Sequence, residues 1–208
     1  MTIVGNSRKR GRPRKFDRGE ALERAMEVFW ASGFEGASIP MLTEAMGISA
    51  QSLYAAFASK DALYREAIGR YRETIGGFAA RALDEGTDAV DAMARLLREA
   101  AILFSRTADT PGCMITTAPA SVPEDPLTRL GRQLRAESVH RMTERLQRGV
   151  HDGQVSSETD CTSWARYLAS VVQGMSVQAR DGASTEALLS TAEIATQSLE
   201  ILRVYSRI

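Results

Sequence analysis

Ala50, Gln51 and Ser52 follow directly on a Gly47-Ile48-Ser49 turn, and their side chains are of the kind that read the edges of bases. A glutamine amide pairs bidentately with adenine, a serine hydroxyl donates or accepts, and an alanine methyl can meet a thymine methyl. Two groups close by suit phosphate instead. Tyr54 points sideways at this spacing, where its hydroxyl could reach a backbone oxygen, although a half-buried core tyrosine would look the same. Lys60, the one lysine after residue 15, falls in the first turn of the following helix, where the N-terminus itself favours an anion. Ser38 could contact phosphate from the preceding helix or serve as a plain N-cap.

The charge distribution points the same way. Residues 1–18 hold Arg8, Lys9, Arg10, Arg12, Arg14, Lys15 and Arg18 against Asp17 alone, a balance of +6. The formal charge of the whole chain is zero, so the remainder carries −6. Positive charge gathered at one end is expected when that end touches a polyanion, and a solubilising tail is the alternative. Arg10, Arg12 and Arg14, spaced by Gly11 and Pro13, form an extended string suited to a narrow minor groove and expected to order only there.

These groups need helices to position them. Leu22, Ala25, Met26, Phe29 and Trp30 recur at three- and four-residue spacing and predict a first helix over Asp17–Ser32, stopped by Gly33. Ser38 caps a second, with Pro40 harmless in its first turn and Gly47 at its end. Ser49 caps a third, whose Leu53 and Phe57 face inward. Ser59 caps a fourth, with a stripe running from Leu63 through Ile75 to Phe78. The span from Ser38 to Phe57 thus reads as a helix-turn-helix: short helices about a glycine turn, Ile48 pinning the turn to the core. Longer helices are predicted over Thr87–Arg106, Pro126–Val150, Ser157–Arg180 and Ser184–Tyr205, separated by Pro- and Gly-containing breaks.

The basic arm, the string FWASGFEGAS, the helix-turn-helix and SKDALYREAI together resemble the DNA-binding domain of the TetR-type transcriptional regulators, over about residues 12–68 without a gap. The resemblance implies an all-α chain: an arm over 1–15, a three-helix DNA-binding domain over 16–60, and a helical effector-binding and dimerisation domain over 61–208. It implies that the third helix enters the major groove, that Tyr54 and Lys60 clamp the backbone, and that a homodimer binds a near-palindromic double-stranded operator. Ala55 and Ala56 stand where family members carry larger or polar groups, which leaves few base-reading side chains. The expected function is a repressor released by a small-molecule effector, with a constitutive or architectural DNA-binding protein as the alternative.

Beyond residue 80 the sequence matches nothing as tightly. Trp164, Leu168, Val171, Val172 and Met175, then Leu188, Ala192, Ala195, Leu199 and Leu202, form stripes on the last two helices that could pair with a second copy or close an intrachain core. Leu97, Phe104, Met114, Trp164, Tyr167 and Met175 are candidates for an apolar effector pocket, and any one of them could equally be core. Gly112-Cys113-Met114 resembles a segment in a subgroup of these regulators at a helix start, where a thiol could be redox-active or simply buried. Gly69, Gly76 and Gly77 mark either close helix packing or a bendable connector.

Enzymatic chemistry has no foothold. There is no Gly-rich phosphate loop and no G-x-S-x-G; His140 and His151 are isolated, and no His/Cys/acid spacing suits a metal, so no cofactor is expected. Cys113 and Cys161 do not make a disulfide framework. No apolar run approaches the roughly 18 residues of a membrane span, so a cytoplasmic protein without membrane contact is expected.

Overall fold

The computed structural model describes residues 16–86, 88–106, 109–119 and 125–204. Arg10, Arg12 and Arg14 lie outside them. The first helix, α1 (Arg18–Gly36), starts where the Asp17 carboxylate accepts from the amides of Gly19 and Glu20, at 2.8 and 3.0 Å. Gly33, at φ 70° and ψ 176°, breaks the helix where the sequence predicts its end, and one further turn follows to Gly36. Then come α2 (Ile39–Met46), α3 (Ala50–Phe57) and α4 (Lys60–Glu73). None of these three exceeds 14 residues, short of what stands alone in water, and packing holds them.

The fourth helix is shorter than its stripe predicts. It stops at Glu73, Thr74 leaves the helical region, and a single 3-10 turn over Ile75–Gly77 leads into α5 (Phe78–Glu85). The cause is local. Thr74 Oγ1 donates back to the carbonyl of Arg70 at 2.7 Å, and the Tyr71 ring occupies the space beside Gly76. A Cβ at Gly76 would lie 2.5 Å from Tyr71 Cε1, so only glycine lets the chain turn there. Of the three glycines, Gly76 and Gly77 therefore form the break, while Gly69 stays within α4.

Four long helices follow: α6 (Ala89–Phe104), α7 (Pro126–His151), α8 (Cys161–Arg180) and α9 (Thr185–Leu199). The start of α8 is later than predicted because Asp160, not Ser157, supplies the cap: its carboxylate accepts from Ser163 N at 3.0 Å. Helix α6 buries Ala92, Met93, Leu96, Leu97, Ala100, Ala101 and Phe104 and is enclosed by α5, α7, α8 and α9. A helix apolar over most of its circumference belongs at the centre of a bundle. Among the described residues there is no strand, only an isolated bridge between Val155 and Arg203. Among them, too, no helix is long and apolar enough to cross a membrane.

Two cores result. One joins α1 to α4 around Phe29, Trp30, Leu42, Leu53, Leu63, Tyr64 and Tyr71; the other fills the bundle of α5 to α9. The first is closed from below by Met114, Ala118, Leu127 and Leu134, which lie beyond residue 60 in the chain. Aromatic edges lock it: Phe29 meets Tyr64, and Trp30 meets Tyr71, each at a centroid distance of 5.0 Å.

Candidate nucleic-acid interface

The three short helices begin with the same device. The hydroxyls of Ser38, Ser49 and Ser59 accept from the amides of Met41, Ser52 and Ala62 at 3.3, 3.1 and 3.0 Å. Each cap satisfies one of the N–H groups a helix start leaves open. Between α2 and α3, Gly47 takes the left-handed conformation at φ 66° and ψ 30°, and its amide and that of Ile48 close back on α2. Here the turn does require glycine.

Helix α3 then divides its side chains cleanly. Leu53 and Phe57 are buried in the first core, while Ala50, Gln51, Tyr54 and Ala55 face outward. Ser52 is half-buried, its hydroxyl 3.0 Å from that of Ser49, so it belongs partly to the cap. Tyr54 is 47% exposed, and the half-buried reading of this tyrosine is set aside. The outward face of an eight-residue helix therefore consists of two methyls, one amide and one phenol. It is narrow and uncharged, and it has the dimensions to enter a groove about 12 Å wide.

The flanking charges are arranged less simply than their sequence positions suggest. Lys60 stands in the first turn of α4, but its Nζ lies over the Phe34 ring, 4.3 Å from the centroid. Ser38 Oγ is occupied as a cap. Arg18, counted with the basic arm in the sequence, is built into the domain. Its guanidinium sits 4.3 Å above the Phe57 ring and donates to both Glu66 carboxylate oxygens at 2.8 Å. That exposed ion pair sets a carboxylate against the Arg18 charge.

The six candidate pocket residues do not surround one space. Leu97, Met114 and Met175 are fully buried in the two cores, Met114 in the first and the others in the second. Trp164 and Tyr167 stack edge to face at 5.6 Å on the outer side of α8, beside Ser198 of α9. Phe104 alone lines a partly enclosed cavity of about 70 Å³ between α4, α5, α6, α7 and α8. Its walls are Tyr71, Phe78, Leu96, Met142 and Val172, with Arg135, Ser138, Gln173 and Cys113 as polar groups. Periodicity misses this set because helix spacing reports which residues face inward, not where facing helices fail to meet.

Cys113 does not start a regular helix. It opens an irregular turn over 114–117, receives the Tyr71 hydroxyl at 3.6 Å, and its amide donates to Ser176 Oγ at 2.8 Å. The last-two-helix stripes are also reassigned. Leu168, Met175, Leu188, Ala192, Ala195, Leu199 and Leu202 are buried within the protomer, and the apolar side chains left outside are Tyr167, Val177, Ile194 and Ile201.

Two short capped helices about a left-handed glycine, the second with a small polar outer face, define a helix-turn-helix protein with a helical bundle attached. The family model described as "Bacterial regulatory proteins, tetR family" matches residues 21–67. The transcriptional repressor ComR of Escherichia coli is 35% identical over 192 residues, covering 88% of this chain and 89% of that protein. The repressor BdcR of the same organism is 29% identical and covers 97% and 98%. A cysteine mutant of the TetR family regulator CifR, solved with 26-bp double-strand operator DNA, has a TM-score of 0.84 at 42% identity, covering 90% of this chain and 99% of that one. The chain belongs to the tetR family of transcriptional regulators, and these relatives are regulators rather than enzymes.

Proposed function

We propose that this protein is a cytoplasmic repressor that binds an operator as a homodimer and releases it when a small effector fills the bundle. The observation that carries the reading is the outward face of α3, on which Gln51 stands between Ala50 and Tyr54 with Leu53 and Phe57 anchored behind it. Gln51 supplies the base contact, and Tyr54, Lys60 and Ser38 supply backbone contacts; Lys60 leaves Phe34 to do so, and the arm residues Arg10, Arg12 and Arg14 track the minor groove. CifR was solved on operator DNA, and ComR and BdcR are named repressors, which supports the same role here.

Residues 1–15 act as the arm, 16–60 as the reader and 61–208 as the sensor, with α7, through Leu127 and Leu134 on one side and Met142 and Leu146 on the other, as the element common to both cores. The homodimer forms through α8 and α9 by the exposed apolar side chains Tyr167, Val177 and Ile194, with Ile201 in the 3-10 turn that follows α9. The partly enclosed cavity favours an effector-controlled protein over a constitutive binder.

Selection of bound duplexes from a randomised DNA pool by the full-length protein tests this. The expected result is a near-palindrome whose half-sites lie one helical turn, about 34–36 Å, apart. Recovery of unrelated sequences with no enriched half-site would remove the repressor reading.

A further inference from the structure

The chemistry of the partly enclosed cavity narrows what can fill it. Its wall is mostly carbon, from Phe78, Leu96, Phe104 and Met142. Among the described residues that line it, Arg135 alone carries a full charge. Nη1 of that guanidinium donates to the carbonyls of Ile115 and Ala118, at 3.3 and 3.2 Å. No carboxylate of a described residue pairs with it. The ionisable groups that act on it are Arg132, of like sign, and Tyr64, whose burial keeps the phenol protonated. Gln173, also on the wall, is half-buried, and its amide makes no hydrogen bond among the described residues.

A half-buried guanidinium facing an apolar chamber has lost part of its hydration without gaining a counter-charge. A planar carboxylate supplies that charge and two parallel acceptors. Size sets the other limit. A cavity of about 70 Å³, a few times the roughly 10–15 Å³ that admits one water, suits a small molecule.

Taking this cavity as the effector site proposed above, we infer that the effector is a short-chain carboxylate. Its head lies on Arg135 and Gln173, and its alkyl body lies against Phe78, Leu96 and Phe104. The same contact explains how occupancy is felt elsewhere. Arg135 holds the 115–118 segment, and Ala118 of that segment, with the adjoining Met114, closes the core of the DNA-binding helices. A carboxylate competes for the guanidinium with the Ile115 and Ala118 carbonyls and loosens that closure.

Isothermal titration of the full-length protein with sodium butyrate and with butyramide, its neutral isostere, tests the assignment. Butyrate is expected to bind at least about tenfold more tightly than the amide, and octanoate, which exceeds the cavity, more weakly than butyrate. Arg135→Met should abolish the preference for the acid. Because Arg135 also ties two carbonyls, Gln173→Leu is the second variant: it should keep the fold, checked by circular dichroism, and weaken butyrate several-fold. Equal affinity for acid and amide, no binding of either, or an unchanged affinity in Gln173→Leu overturns the inference. Operator binding is read separately on the same samples. Butyrate that binds without releasing DNA supports the ligand class and removes the effector role, whereas failure to bind any operator defeats the repressor reading alone.

Discussion

Arg180, at the end of α8, closes on Trp30 of α1: its guanidinium donates to the Trp30 carbonyl through Nη2 and to the Ala31 carbonyl through Nη1, the latter at 3.2 Å. These carbonyls lie just before the break at Gly33, where the helix cannot continue its own ladder regularly. Trp30 is held from its other end as well, since its indole Nε1 donates to the Gly112 carbonyl at 3.1 Å. One residue of the DNA-binding helices is thus clamped by two segments of the bundle. Replacing Arg180 with alanine should cost about 1–3 kcal/mol, because the part-buried Trp30 carbonyl loses a charged donor. Arg180→Lys should recover less than half of it, since an ammonium lacks the fork. Urea unfolding of the three proteins measures this, and equal stabilities would deny the clamp.

Gly112 carries the partner carbonyl under tight constraint. It sits at φ 73°, and a Cβ there would lie 2.6 Å from the Ser176 carbonyl oxygen. Gly112→Ala combines a left-handed backbone with a backbone clash and should cost about 2–3 kcal/mol. Thermal unfolding should fall by several degrees, with the near-ultraviolet signal of Trp30 altered.

On α3, Gln51→Ala should weaken specific operator binding by about 1–3 kcal/mol and leave binding to unrelated duplex nearly unchanged. The side chain is exposed and bonded to no described residue of the protomer, so the fold should not respond. Parallel anisotropy titrations with operator and scrambled DNA separate the two; equal losses would exclude a base-reading role.

Deleting residues 1–14 removes Arg8, Lys9, Arg10, Arg12 and Arg14. The slope of log affinity against log salt should flatten by about 0.9 for each phosphate the shortened chain no longer neutralises. Arg18, paired with Glu66, remains. An unchanged slope would place the arm outside the interface.

Ile194 is 66% exposed on α9, so Ile194→Asp should not disturb the protomer core. It should, however, disfavour a paired apolar face. Light scattering is expected to report about twice the 22.7 kDa chain mass for the parent protein and a shift toward one chain for the variant. A parent protein at the mass of one chain would contradict the dimer.

The helix-turn-helix is legible in detail because its signals are local. Ser38, Ser49 and Ser59 cap the residues that follow them, and Gly47 turns the chain where a left-handed residue is needed. Each decision involves groups within four positions of one another. The fourth helix departs from its pattern because the ring of Tyr71, five residues back, fills the space beside Gly76. A continuous apolar stripe does not register that competition. The cavity is less legible still: aromatic and Met side chains predict burial, and Leu97, Met114 and Met175 are buried, but in packed core rather than around a space.

What the amino-acid order determined by itself is the helical class, the position of the turn, and the division of α3 into Leu53 and Phe57 inside and Gln51 and Tyr54 outside. These follow from capping, glycine conformation and a 3.6-residue period, all properties of the chain within a few residues. Only the tertiary structure decided that Arg18 pairs with Glu66, that Lys60 rests on Phe34, that Arg135 faces a cavity without a counter-charge among the described residues, and that Trp30 is gripped by Gly112 and Arg180. The bonded partners of Arg135, Arg18 and Arg180 stand between 17 and 150 positions away, and pairing across such distances depends on how helices meet, which no local pattern encodes.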